Sequence, residues 1–128
     1  MQSYPYDNDN YEPAAPVVPI EIFVTQAASA TQQVDALIDS GADATILPLP
    51  LLEAIRAPYA DTHWWRTVSG ERRSVSLFWV TIRVAGQTIH GVRAVGATFD
   101  TEPILGRDVL NQLVLTLDGL AEHTTITR

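Results

Sequence analysis

Two short segments of this 128-residue chain combine residue types that chemistry needs. The first is Ala36-Leu37-Ile38-Asp39-Ser40-Gly41-Ala42-Asp43. Apolar residues carry the chain inward, and a carboxylate follows at once. Burying a carboxylate without donors or a partner is costly, so Asp39 needs hydrogen bonds or a facing group. Gly41 suits a tight turn without a Cβ clash. A plain surface turn after a strand would use Asp, Ser and Gly as well. The second segment is Pro103-Ile104-Leu105-Gly106-Arg107-Asp108-Val109-Leu110. Two apolar residues again run into a glycine, and an Arg-Asp pair then opens a helix. A positioned carboxylate can serve as general acid or base. Other chemistries lack their parts. With no cysteine, a disulfide scaffold, a zinc-thiolate site and a cysteine nucleophile are excluded. His63, His90 and His123 are far apart and form no metal spacing, so no metal and no cofactor is expected. Ser69 or Ser74 could be drawn into a triad on paper, but no nucleophile-elbow pattern supports one.

The elements around these segments are mostly strands. Val17 to Thr25 is apolar and rich in β-branched residues, and Pro19 hints at an edge position. Gln33 to Ile38 leads into Asp39, and Ala44 to Leu47 forms a short strand closed by Pro48. Pro50 to Ile55 reads as a short helix with Leu51, Leu52 and Ile55 as its buried stripe. His63 to Val68 and Ser74 to Val84 flank Ser69-Gly70-Glu71 as arms of a hairpin. A second hairpin turns at Ala85-Gly86-Gln87 into Thr88 to Val95. Arg107 to Leu113 reads as a helix of one to two turns, and Val114 to Leu117 and Thr124 to Thr127 as closing strands. The pattern is that of an all-β barrel or sandwich with one or two short helices. Residues 1–16, MQSYPYDNDNYEPAAP, show no helix or strand period and are expected to be a disordered tail. They lack the basic start and apolar middle of a signal peptide. Residues 17–128 are left as a single domain.

Charge is uneven along the chain. Eight basic residues against fifteen acidic ones give a net charge of −7. Residues 1–54 hold eight acids and no base, whereas residues 55–99 hold six Arg against Asp61 and Glu71. The acidic total argues against nucleic acid as a partner, since phosphate binding needs a concentrated positive patch. No apolar run reaches the roughly 18–20 residues of a membrane span. The cysteine-free chain suits a reducing cytoplasm.

Together the two segments resemble the retropepsin family of aspartic proteases, single-domain relatives of pepsin. Leu37 to Ala42 matches its hydrophobic-hydrophobic-Asp-Ser/Thr-Gly-Ala signature, and Ile104 to Asp108 its hydrophobic-hydrophobic-Gly-Arg-Asp/Asn signature. The resemblance extends from Val17 to about Gly119. It implies a closed barrel with a flap hairpin, active as a two-fold dimer. Asp39 would then be the catalytic aspartate. Ser40 would bond across to the opposite subunit, and Gly41 would offer its carbonyl to the substrate backbone. Ala42, Asp43 and Ala44 would line the cleft, with Arg107 holding Asp43 and Asp108 bracing the helix start. Ile46, Ile104 and the flap residues Ser69, Gly70 and Glu71 would touch the substrate. Viral flaps are glycine-rich at the tip; this one has Gly70 among Ser69, Glu71, Arg72 and Arg73. Trp64 and Trp65 are expected to pack the base of the hairpin.

The family chemistry needs two carboxylates, and one chain supplies one. No other aspartate shares the context of Asp39, so a homodimer pairing Asp39 with its own copy is expected. Its substrate would be a peptide or protein segment in extended conformation. Val17 to Val24 and Thr124 to Thr127 are candidate dimer strands. A domain of the same fold that binds peptides without useful hydrolysis is the alternative. A processing or assembly module, with the tail docking a partner, is a third reading.

Overall fold

The computed structural model describes residues 1–24, 31–66, 68–99 and 101–127. Thr25 and Thr67, expected within or beside strands, lie outside these. Ten strands and two short helices follow one another among the described residues. They are β1 (Gln2–Pro5), β2 (Val17–Phe23), β3 (Gln32–Ile38), β4 (Ile46–Pro48), α1 (Leu49–Ala54), β5 (Tyr59–Arg66), β6 (Arg72–Val84), β7 (Gln87–Ala97), β8 (Ile104–Leu105), α2 (Arg107–Leu110), β9 (Val114–Asp118) and β10 (His123–Thr127). The all-β expectation and the short helices hold.

The main sheet runs β2-β3-β8-β4-β7-β6-β5, and β2 also pairs with β6. That extra pairing, Ile20 to Phe23 against Val84 to Thr81, closes six strands into a barrel. Period-two alternation explains how the barrel fills. Val18, Ile20 and Ile22 of β2 and Val80, Ile82 and Val84 of β6 all point inward and are buried. Leu47, Leu105 and Val109 join them in the same core. Strand β6 is the longest, at 13 residues. Its first half pairs with β5 outside the barrel, and its second half belongs to the wall. Between β6 and β7, Ala85 and Gly86 both have positive φ, 51° and 75°, the backbone of a two-residue type I′ turn. In α1, Leu52 is fully buried, as is Ile55 at its C-cap, while Leu51 is only partly buried, and Pro50 occupies the first turn. Helix α2 is a single turn that buries Val109 and Leu110.

Three expectations need correction. Residues 1–16 do not form a free tail: β1 pairs antiparallel with β10, from Gln2↔Ile126 to Pro5↔His123. Main-chain bonds to a distant strand supply the ordering that local composition lacks. Tyr4 packs on the core, and the Asp7 carboxylate accepts the N–H groups of Asp9 and Asn10 to shape the following turn. Second, the edge position that Pro19 hints at is local: Pro19 itself pairs with Asp35 of β3 alone, but its strand is not an edge strand. β2 has neighbours on both sides, and Pro19 stands one residue before its pairing with β6 begins. Third, neither candidate dimer strand has a free edge. β10 is the middle strand of a separate three-stranded sheet, β1-β10-β9, whose outer strands are β1 and β9.

Candidate active site

Strand β3 delivers Asp39 to the end of the barrel. Its neighbour β8 runs parallel, with Leu37↔Ile104 and Ile38↔Leu105 in register, so the two sequence signatures lie side by side. The Asp39 N–H donates to the Leu105 carbonyl at 3.1 Å, anchoring the residue to the second signature. The chain then turns sharply. Ala42 N–H donates to Asp39 O at 3.1 Å, and Gly41 N–H donates to Asp39 Oδ1 at 2.9 Å. A side chain on Gly41 would place its Cβ 3.2 Å from that oxygen, so glycine keeps the carboxylate approachable. Asp39 itself is half-buried, and Ser40, Gly41 and Asp43 are exposed.

A second network locks the two segments together behind Asp39. Arg107 N–H donates to Ala42 O at 2.9 Å. The Arg107 guanidinium donates through Nη1 to Ser40 O at 2.7 Å and through Nη2 to the Asp43 carboxylate. With Asp43 85% exposed, the ion pair contributes only ~0–1 kcal/mol to stability. Its effect is orientation: one planar fork holds both sides of the 40–43 turn. Asp108 does more than brace α2. Its carboxylate accepts the Thr45 N–H at 3.1 Å and the Thr45 hydroxyl at 2.8 Å, and Thr45 Oγ1 in turn accepts the Gly106 N–H at 3.2 Å.

A recess of about 400 Å³ opens beside this turn, lined by Ile46, Leu49, Phe78, Val95 and Phe99 among others. An adjoining recess of about 370 Å³ is lined by Gly41, Ala42, Asp43, Ile46, Trp64, Trp65 and Arg66. The β5–β6 hairpin therefore stands over the 41–46 segment. A third recess, about 450 Å³ between β2, β3 and the β6–β7 turn, lies away from Asp39. There Glu21 is already paired with Arg83 at 3.0 Å. On β5 the Asp61 carboxylate lies below the usual range, held there by the Thr62 N–H and then by His63.

A family model described as "gag-polyprotein putative aspartyl protease" matches residues 25–112. The chain belongs to this aspartyl protease family. Solved protease structures share its fold. The retropepsin-like aspartic protease from Rickettsia conorii superposes with a TM-score of 0.66 at 14% identity, over 98% of this chain and 88% of that one. The Simian Foamy Virus (mac) protease gives 0.51 at 22% identity, over 73% and 91%. The retroviral protease-like domain of Ddi1 from Leishmania major gives 0.52 at 18% identity, over 88% and 90%. At these identities the likeness is one of fold. No curated protein matches the sequence.

Within this protease fold the expected site residues separate into two groups. Asp39, Ser40, Gly41, Ala42, Asp43 and Arg107 are brought together by the contacts above. Ala44 lies deeper, on the side of Val92 and Arg93. Ile46 pairs with Ile104 across β4 and β8, but only Ile46 lines the two recesses. Ser69, Gly70 and Glu71 sit at the exposed hairpin tip and line neither recess. Trp64 does not pack the hairpin base as expected: it is 63% exposed, with the Arg72 guanidinium 5.0 Å from its ring centroid.

Thr45 carried no signal in the sequence, because its partners lie more than 60 positions away. It is nonetheless fully buried. Thr45→Val keeps its shape and removes the hydroxyl, leaving the Gly106 N–H unpaired and Asp108 one donor short. A buried group stripped of its partner costs ~1–3 kcal/mol. Thermal unfolding of Thr45→Val should show a drop of several degrees; an unchanged midpoint would remove this hydroxyl from the account.

Proposed function

We propose that the protein is a homodimeric aspartic endopeptidase whose reacting groups are the Asp39 carboxylates of two copies. The observation that carries this reading is the setting of Asp39. It stands at a strand end, half-buried, fed by the Gly41 N–H and bound by backbone to the partner signature, in a chain of the aspartyl protease family. A two-fold axis beside Asp39 would set two such carboxylates face to face. Like charges that close do not both ionise cheaply, so the pair holds one proton between them. The ionised member takes a proton from a bound water, which attacks the peptide carbonyl. The protonated member donates to the developing oxyanion, and a proton passes to the leaving amine. Within each subunit Arg107 and Asp108 act as positioning residues, fixing the 40–45 segment against which an extended peptide would lie. Cleavage of peptides by the wild-type protein, inhibited by the hydroxyl-bearing mimic pepstatin, is the direct test.

The same reading needs a seam for the second copy, and β9 supplies one. It is an outer strand, paired on one side only, and it exposes Val114 and Leu117 at 57% and 51%. An uncovered apolar edge strand is a template for pairing with another chain. It also follows α2 closely, which ties it to the segment that holds Asp39. Fully burying an exposed leucine is worth ~1.5–3 kcal/mol. Leu117 is already half covered, so each copy gains about half of that, and two-fold symmetry restores the total. Leu117→Asp should therefore raise the dimer dissociation constant by at least ~10–10²-fold. Sedimentation velocity over a dilution series reads this, with cleavage falling as dimer is lost. A Leu117→Asp protein that stays dimeric and active would place the seam elsewhere.

A further inference from the structure

The β5–β6 hairpin places Arg66 directly opposite Arg72. Cross-strand partners share a face at close range, and like charges there repel. Arg72 is occupied with the Trp64 ring beneath it. Arg66 has no such relief. Among the described residues it makes no ion pair, and its side chain is exposed. Residues 64–73 include three Arg against Glu71 alone, in a protein of net charge −7. The positive patch runs against the charge of the whole chain.

Position turns this surplus into a binding feature. Arg66 lines both recesses beside the 41–46 turn, and Ile46 and Trp65 are shared between them as well. The larger recess is walled mainly by apolar side chains, and Arg73 also borders it. Among the described residues, the one carboxylate lining the smaller recess, Asp43, is already engaged by Arg107. An uncompensated guanidinium thus stands where two adjoining recesses meet. Alternate side chains of an extended peptide fall on one side, about 6.6 Å apart. One can enter the apolar recess while the next on that side reaches Arg66. Guanidinium and carboxylate match as a two-pronged pair.

We propose that Arg66 selects acidic peptides, pairing with an Asp or Glu two residues from a bulky apolar side chain seated in the larger recess. This rests on the peptidase reading for the site's use, but the charge preference can be measured without hydrolysis. Matched peptide pools carry a fixed Phe, with Glu, Gln or Lys two residues to either side and other positions randomised. Wild-type protein should cleave the Glu pool with a kcat/KM ~10–100-fold above the Gln pool. Arg66→Gln should bring that ratio to about one, and Arg66→Glu should shift preference to the Lys pool. A structural role for Arg66 would not produce that reversal. In parallel, fluorescence anisotropy with Asp39→Asn protein should show the same order of binding. Equal cleavage of the Glu and Gln pools, or a Glu preference surviving Arg66→Gln, overturns the proposal and leaves the peptidase reading standing. Arg66-dependent binding of the Glu pool without cleavage by wild type overturns the peptidase reading and leaves the proposal standing. Neither binding nor cleavage overturns both.

Discussion

Asp39→Asn protein should fold and dimerise as the wild type does and cleave peptides at least ~10⁴-fold more slowly. A positioned general acid or base contributes typically 10²–10⁴-fold, and in a symmetric dimer this change removes both carboxylates together. Asparagine keeps the shape and an oxygen acceptor for the Gly41 N–H, which donates to Asp39 Oδ1 at 2.9 Å, so the turn has no reason to move. The wild-type pair would hold one proton and one negative charge between its carboxylates. Two asparagine amides carry no charge and can still hydrogen-bond across the axis, so the variant dimer should be no weaker than the wild type. Mixing gives a sharper readout. Wild-type subunits equilibrated with excess Asp39→Asn subunits should lose activity, because each heterodimer carries a single carboxylate. A quenched-fluorescence peptide assay measures both effects. Wild-type rates in the variant would remove Asp39 from the chemistry.

Gly106→Ala should destabilise the protein by about 3 kcal/mol or more, enough to threaten a fold whose total stability is ~5–15 kcal/mol. The reason is space, not backbone freedom: Gly106 has φ −94° and ψ −177°, which any residue adopts. A Cβ there would lie 2.5 Å from the carbonyl carbon and oxygen of Ala44 and 3.0 Å from Ala42 O. These are backbone atoms, and they cannot swing aside. The Arg107–Ala42 main-chain bond at 2.9 Å and the Gly106–Thr45 bond at 3.2 Å hold the 42–45 and 106–107 segments at that approach. Overpacking a yielding site costs ~1–3 kcal/mol; here the neighbours do not yield. Gly119→Ala is the control, since nothing lies within 4 Å of its added Cβ. Denaturant unfolding should separate the two variants clearly. Equal stability for both would mean that the 42–45 segment is looser than its contacts imply.

The part of the candidate site that was legible is the part built from local grammar. An apolar run ending in Asp-Ser-Gly announces a strand end and a turn, and Asp39 stands there. Gly86 marked the β6–β7 hairpin, and the Arg107–Asp43 pair followed from the family pattern. What escaped depends on contacts between remote residues. Strand β1 takes its main-chain partners from β10, so a window over residues 1–16 sees only poor propensity. Thr45 is an ordinary strand residue until Asp108 and Gly106 are brought beside it. The facing of Arg66 and Arg72 requires the register of the hairpin, which neither residue announces. That β2 and β10 lack a free edge was not legible either, because edge and interior strands share composition; they differ from β9 in how many neighbours they have.

The meeting of β1 with β10 has a consequence for the order of events in the cell. Ser3 Oγ and His123 Nδ1 lie 3.0 Å apart across 120 positions of chain. Contacts between residues so distant form late, after the hairpins whose arms are adjacent. On the ribosome β1 emerges ahead of β2 to β10 and lacks its β10 partner until residues 123–127 follow. The small sheet is then completed only when translation has passed the barrel and α2. If the second copy docks on that sheet, a half-made polypeptide holds a lone Asp39 and no hydrolytic centre. Topology would then withhold the proposed seam until residues 123–127 have been made.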